Sequence, residues 1–568
     1  MTAAETMQVR VVAQDPSVRV DGHILTALVT FPAEEVAEGP TGHRVHVVDY
    51  DSSTKTLYQG AELRRPIDKR SNREILTDPE FHAQNVYGLV MSTVARFEFA
   101  LGRRVKWGFR AHQLKVVPHA FDVANAFYAP ESEALLFGYF SKRGERVFTC
   151  LSHDVVVHET THALIDGLRP RFMKPSSADQ ASFHEGFSDI VALLSVLSMK
   201  EVVARLVDHA AEADGHPRGD GFVRAELFST ERLKQSALFA LAEEMADDAD
   251  PGRIGALRRS VALEPDPKIL GRLEFQDAHR RGEVIVAAVS RAFLDAWAKR
   301  LTALSPPGTD LVDRDRASEE GASIADQLLT MMIRALDYTP PVHLEFRDFL
   351  SAALTADTEI RTDDSKYDLR GSLRTWFEKY GIEPASSEEN GCWKATNKLL
   401  HRDGVRFSSV QSDPTEMFRL IWANREELKL PVTAYTWVGD LWPCVRVVPA
   451  DGIAVRETVA TCIQYLDVVA SDLASLGLQK PPGMDGTTKI ALDGGSTLVL
   501  DEYGMLKYEI SNRLPSRTEP AATKRVQDRL DYMYNVGAFA PGAAFRARLS
   551  NLHRLRADTS VSVSEEVW

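Results

Sequence analysis

Apolar positions change their period along this chain, and the changes divide it. Residues 8 to 60 alternate in short runs broken by turn residues; Val45, Val47 and Val48, for example, precede Asp51-Ser-Ser-Thr. That pattern predicts a β-rich N-terminal region. Val86, Leu89, Val90, Val94, Phe97 and Leu101 then recur at helical spacing and stop at Gly102, which predicts an amphipathic helix over 82–101 with a glycine C-cap. Strand-like pieces follow at 114–117, 124–128 and 134–140. From Ser152 the period lengthens, and helices are predicted over 152–168, 178–199, 233–247, 282–303 and 322–337, with further helical turns up to Gly381. Polar residues 383–393 read as a linker. Beyond them the pattern is mixed, with a strand over 443–448 and a hairpin whose arms, 497–500 and 505–510, flank Asp501-Glu-Tyr-Gly.

The division that results is a β-rich region over 1–150, a helical lobe over 151–382, the linker, and a mixed α/β accessory domain over 394–568. Composition adds limits to this outline. With 568 residues, 44% hydrophobic and 26% charged, the chain has ample core material and is globular. Its net charge of −14 repels phosphate backbones and anionic headgroups, so neither nucleic acid nor a membrane is an expected partner. No apolar run approaches the roughly 18 residues of a membrane span, and the first residues show no signal-peptide pattern, so a cytoplasmic location is expected. Cys150, Cys392, Cys444 and Cys462 are widely spaced with no CxxC pair, which argues against a disulfide framework and against a thiolate zinc site.

Candidate chemistry concentrates in one stretch. His153-Asp-Val-Val-Val-His158-Glu159-Thr-Thr-His162 contains an HExxH motif within a predicted helix. His158 and His162, four apart, share one helical face and can converge on a single zinc ion, while Glu159 can hold a water beside it. A third ligand is needed. The extended motif that would supply a later histidine is absent, since Leu168 stands at that place. The next predicted helix carries His184-Glu185-Gly-Phe-Ser-Asp189, in which Glu185 can complete a His₂Glu site and Asp189 can orient a zinc histidine through its second ring nitrogen. His153 and His184 have the wrong phase for ligands and read as supporting or surface residues.

With HExxH followed by ExxxD, the chain resembles the gluzincin metallopeptidases of the thermolysin and fungalysin families. Glu185-Gly-Phe-Ser-Asp189 is similar to the fungalysin EGWSD, and Asp154-Val-Val-Val-His158-Glu159 to the thermolysin DVVAHE. Asn125-Ala-Phe-Tyr128 resembles the edge strand that holds the substrate backbone, Ala256-Leu-Arg258 the segment whose arginine contacts the substrate carbonyl, and His279-Arg-Arg-Gly282-Glu283-Val the fungalysin HxxGEV.

The resemblance implies an α+β, two-lobed thermolysin-like domain with a β-rich N-lobe and a helical C-lobe. It further implies one Zn²⁺ on His158, His162 and Glu185, Glu159 as general base, His279 as oxyanion donor, Asp189 behind a ligand, and Asn125, Ala126 and Arg258 as substrate contacts. The expected activity is endopeptidase cleavage of a peptide or protein, because the GxMEN sequence of aminopeptidases is absent. No tyrosine lies between His162 and Glu185, so oxyanion support falls on His279. Two alternatives stand beside this reading: a regulatory zinc protein binding a protein partner through its C-terminal domain, and a zinc hydrolase of non-peptide amides.

Overall fold

A computed structural model describes residues 5–58, 70–142, 144–174, 176–213, 215, 221–229, 232, 259–401, 406–448 and 452–540. The chain is mixed α and β with several separate sheets. The helix predicted over 233–247 and the tail from 541 lie outside the described residues.

The N-terminal strands Thr6–Val12 and Thr26–Pro32 pair antiparallel. A second sheet follows the order Val45–Val47, Leu114–Phe121, Ala134–Lys142, with parallel pairing between neighbours. Two shorter strands finish it: Ala126–Ala129 pairs antiparallel with the first half of Ala134–Lys142, and Glu145–Phe148 with its second half. Between these strand groups lies the helix Pro79–Leu101. Asp78 caps it, Pro79 opens it, and Gly102 ends it in the left-handed conformation at φ 67°. This helix is not amphipathic as its apolar spacing predicts, because strands cover one side and helices the other, so that His82, Gln84 and Asn85 are buried with the apolar face. The two side-chain amides are satisfied there. Gln84 donates to Arg10 O, and Asn85 accepts from Val12 N and donates to Cys150 O.

The helical part contains His153–Leu168, Ala178–Leu197, Ala278–Leu304 and Arg314–Ala335. Together they bury Leu164, Phe183, Phe187, Ile285, Val289 and Phe349 in one continuous core with the N-terminal strands. Met331 and Met332 belong to that core, as packing residues. Segment 383–393 is packed rather than hanging free: Trp393 donates its backbone N–H to Thr355 and its indole N–H to Tyr338 O.

The C-terminal sheet is antiparallel in the order Lys398–Leu399, Met505–Asn512, Lys489–Asp501, Ala454–Val469, Tyr435–Val447. The predicted hairpin is present, with Gly504 at φ 78° in its turn. Val459, Val499, Tyr508 and Ile510 of this sheet join the main core. Charges are buried at the same seam. Asp337 pairs with Arg103, at 2.6 Å from Nη2, and with fully buried Arg446, which also pairs with Glu457. Burial alone would raise the Asp337 pKa, but the two guanidiniums hold it down to about 2.

Because its carboxylate lies lower in the folded than in the unfolded chain, Asp337 contributes stability above about pH 4 that is lost as the pH falls through about 2. Asp337→Asn should lower unfolding stability by about 3–5 kcal/mol at neutral pH, since it takes the carboxylate from buried Arg103 and leaves Arg446 with Glu457 alone. Denaturant titrations from pH 7 downward should show the gap between variant and wild type narrowing across that acid window; a constant gap would remove the ion pair from the explanation.

Candidate metal centre

Three local solutions position the centre. Helix His153–Leu168 buries Thr160 and Thr161 beside the two histidines, and each hydroxyl is satisfied by the carbonyl four residues earlier, Val156 and Val157, at 2.7 Å. Ser177 caps Ala178–Leu197 by accepting from Gln180 N. Asp277 caps Ala278–Leu304 by accepting from His279 N and Arg280 N, both at 3.1 Å, so His279 stands in the first turn.

The last two helices cross where each has a glycine. A Cβ on Gly186 would lie 2.7 Å from Gly282 O, and one on Gly282 would lie 2.9 Å from Ser182 O. Only hydrogen fits at that approach. Residues beside these glycines are therefore forced close: Glu185 Oε2 is 3.2 Å from His279 Nδ1.

His158, His162 and Glu185 bring their ligand atoms within 4.8 Å of one another. The two histidine Nε2 atoms are 2.9 Å apart, and each is 3.7 Å from a Glu185 oxygen. At 3.7 Å neither contact is a hydrogen bond. The atoms frame a point, and a metal ion could be held there. All three residues are at most 7% exposed, and two imidazoles with one carboxylate are a donor set that zinc-class ions take.

Surrounding groups orient the ligands. Asp189 Oδ1 lies 2.7 Å from His158 Nδ1, which turns Nε2 toward the ligand set. Behind His162, Nδ1 has Ser188 Oγ and His184 Nδ1 each at 3.3 Å. His184 is thus a buried neighbour of a ligand and not a surface residue. His153 is also buried, against Ser195 Oγ at 3.0 Å, and burial lowers its pKa to about 4. Adjacent Asp154 is raised to about 6, burial outweighing the hydroxyl bond from Ser152.

Glu159 is fully buried, and its Oε2 accepts the Tyr128 backbone N–H at 2.8 Å. Strand Ala126–Ala129 therefore runs directly past it. Since the Tyr128 N–H faces away from Ala134–Lys142, the alternation of an antiparallel pair turns the Ala126 and Tyr128 carbonyls outward too. Asn125 caps the strand, its Oδ1 accepting from Ala126 N at 2.9 Å, while its Nδ2 is buried with no hydrogen-bond partner among the described residues.

Arg258 lies outside the described residues. Its neighbour Arg259 is described: it donates to Glu283 Oε1 at 2.8 Å, beside Arg280 on the same carboxylate. Glu283 and His184 carry no ligand spacing of their own; what marks each is its place next to a motif residue, Gly282 or Glu185. A cavity of about 450 Å³ lined by Val117, Phe121, Phe127, Tyr128 and Leu136 lies against the N-terminal sheet; Tyr128 borders it, whereas His158, Glu159, His162 and Glu185 do not.

No family description matches the chain, and no curated protein is significantly similar to it. No described helix is long and apolar enough to cross a membrane.

Two substitutions probe the arrangement. Gly186→Ala should cost about 1–3 kcal/mol of unfolding free energy through overpacking, measurable by denaturant titration. Asp189→Ala should weaken metal binding about 10–100-fold in competition with a chelator, with unfolding of the metal-free protein little changed.

Proposed function

We propose that this protein is a zinc-dependent metalloendopeptidase of the gluzincin class, with a two-lobed thermolysin-like catalytic region. The observation that carries the proposal is the meeting of His158, His162 and Glu185 around one point, with fully buried Glu159 held by the N–H of an edge strand beside it. A structural metal site has no use for a general base at that place. A strand edge next to it, with the Ala126 and Tyr128 carbonyls turned outward, suits an extended peptide laid along it.

His158, His162 and Glu185 would hold the zinc ion, whose contribution there would be Lewis-acid chemistry and the acidification of a water. The chain's own residues do the rest. Glu159, fixed by Tyr128 N–H, accepts a proton from the attacking water and passes it to the leaving amine. Outward carbonyls of Ala126 and Tyr128, with the Asn125 amide, hold the substrate backbone. Asp189 keeps the His158 ring turned, which limits reorganisation during turnover. His279, anchored by the Asp277 cap, serves as donor to the developing oxyanion. Arg259 is drawn to Glu283 at the start of the same helix and so acts there as a positioning residue.

Glu159→Gln should retain its zinc by elemental analysis yet lose peptide-library hydrolysis by several powers of ten. Such a separation of binding from chemistry is expected of a base that touches water and not metal. His279→Ala should lower kcat about a hundredfold to a thousandfold with little change in KM. A zinc-loaded wild type that cleaves no member of a broad library would end the endopeptidase reading.

A further inference from the structure

A second cluster of metal-ligating side chains lies in the N-terminal half. His82, His119 and Cys150 bring one ligand atom each within 4.8 Å of the others, and all three residues are at most 2% exposed. They come from distant segments: the first turn of helix Pro79–Leu101, strand Leu114–Phe121, and the short 3₁₀ turn Thr149–Leu151 that leads into the HExxH helix.

The hydrogen bonds around the rings restrict what can lie between them. His82 Nε2 is 3.1 Å from Ile75 O, and a carbonyl can only accept, so this nitrogen carries the proton. His119 Nδ1 is 2.8 Å from Asp49 Oδ1, where the ring again donates. In neutral rings the inner nitrogens, His82 Nδ1 and His119 Nε2, would then face each other as two lone pairs at 2.7 Å. That contact is repulsive unless a cation stands between them, either an extra proton or a metal ion.

Cys150 favours the metal. A proton shared by two imidazoles needs no thiol, whereas the sulfur adds a third soft donor to the same point, and N₂S is a set that zinc-class ions take. The outer partners match as well, because metal-bound histidines give their second N–H to a carbonyl or a carboxylate, here Ile75 and Asp49. The inner nitrogens would have to part modestly, since two imidazoles on one tetrahedral zinc sit about 3.3 Å apart. His158 and His162 show the same close approach, at 2.9 Å.

We infer that His82, His119 and Cys150 form a second metal site, taking a divalent ion of the zinc class on these three donors. Phe148 packs on both rings, with centroids 4.7 Å and 5.1 Å away, and Tyr58 lies 5.0 Å from His119. These aromatic walls suit a closed site. Bound metal would tie the central helix and the sheet to the turn that launches the HExxH helix.

Because the first centre has no sulfur, the two are spectroscopically distinct. Full-length wild type, His162→Ala and Cys150→Ser are each loaded with cobalt(II), and bound metal is counted with the near-ultraviolet thiolate-to-cobalt band recorded. Expected are two equivalents with the band in wild type, one equivalent with the band in His162→Ala, and one equivalent without it in Cys150→Ser. The isosteric serine is chosen to preserve packing, and the wild-type band is a readout that needs no variant. Absence of the band from cobalt-saturated wild type, whatever the metal count, overturns the inference and leaves a shared proton between the two inner nitrogens as the cation. Failure of the first centre instead would abolish the equivalent lost in His162→Ala while leaving the band, so the two outcomes are separable.

Discussion

The closeness of two helices at Gly186 and Gly282 is the constraint on which the metal centre depends. Glu185 comes from one helix and His279 from the other, and among the described residues no hydrogen bond between the backbones holds these helices together. Their separation is set by what stands at the crossing. A methyl group at either glycine would meet backbone atoms below 3 Å, and backbone cannot rotate away as a side chain can. The residue before Gly186 uses the proximity: Glu185 reaches His279 of the other helix at 3.2 Å. A sequence motif containing such a glycine therefore encodes a distance as well as a set of donors.

Much of this was legible in the sequence because the helical segments are long and strongly periodic. The HExxH helix was expected over 152–168 and runs His153–Leu168; its successor was expected over 178–199 and runs Ala178–Leu197. His158, His162, Glu185 and Asp189 meet as their phase implies, since i and i+4 positions on two facing helices leave few arrangements. Periodicity was less informative about surroundings. Nothing in the spacing of Pro79–Leu101 shows that its polar face is buried too, because Asn85 and Gln84 find partners in segments far away in sequence. Nor does a rule built on CxxC pairs detect Cys150, whose neighbours His82 and His119 are assembled only by the tertiary fold.

The C-terminal sheet shows the same limit in energetic form. A run of polar residues at 383–393 predicts a tether, yet its backbone is bonded to Arg347 and Thr355. The sheet beyond contributes Val459 and Val499 to the main core and Arg446 to the Asp337 cluster. Buried ion pairs contribute little net stability over apolar packing, but they penalise any arrangement that separates the partners. Here they fix the sheet against helices it meets only late in the sequence.

That fixation reaches the metal centre through one residue. Arg169 follows the last turn of the HExxH helix, donates to Leu336 O at 3.0 Å, and lies 5.3 Å from the Trp442 ring centroid. Leu336 adjoins Asp337, and Trp442 lies on the strand that carries Arg446. Burial lowers the Arg169 pKa to about 10, still high enough to keep it charged near neutral pH. The C-terminal end of the helix is thus set by the seam between the helical region and the C-terminal sheet, while its N-terminal end begins just after Cys150. Both ends of the segment bearing His158, Glu159 and His162 are held by structure outside the HExxH motif, which is how two candidate ligand histidines and the buried glutamate between them keep their geometry on a single helix.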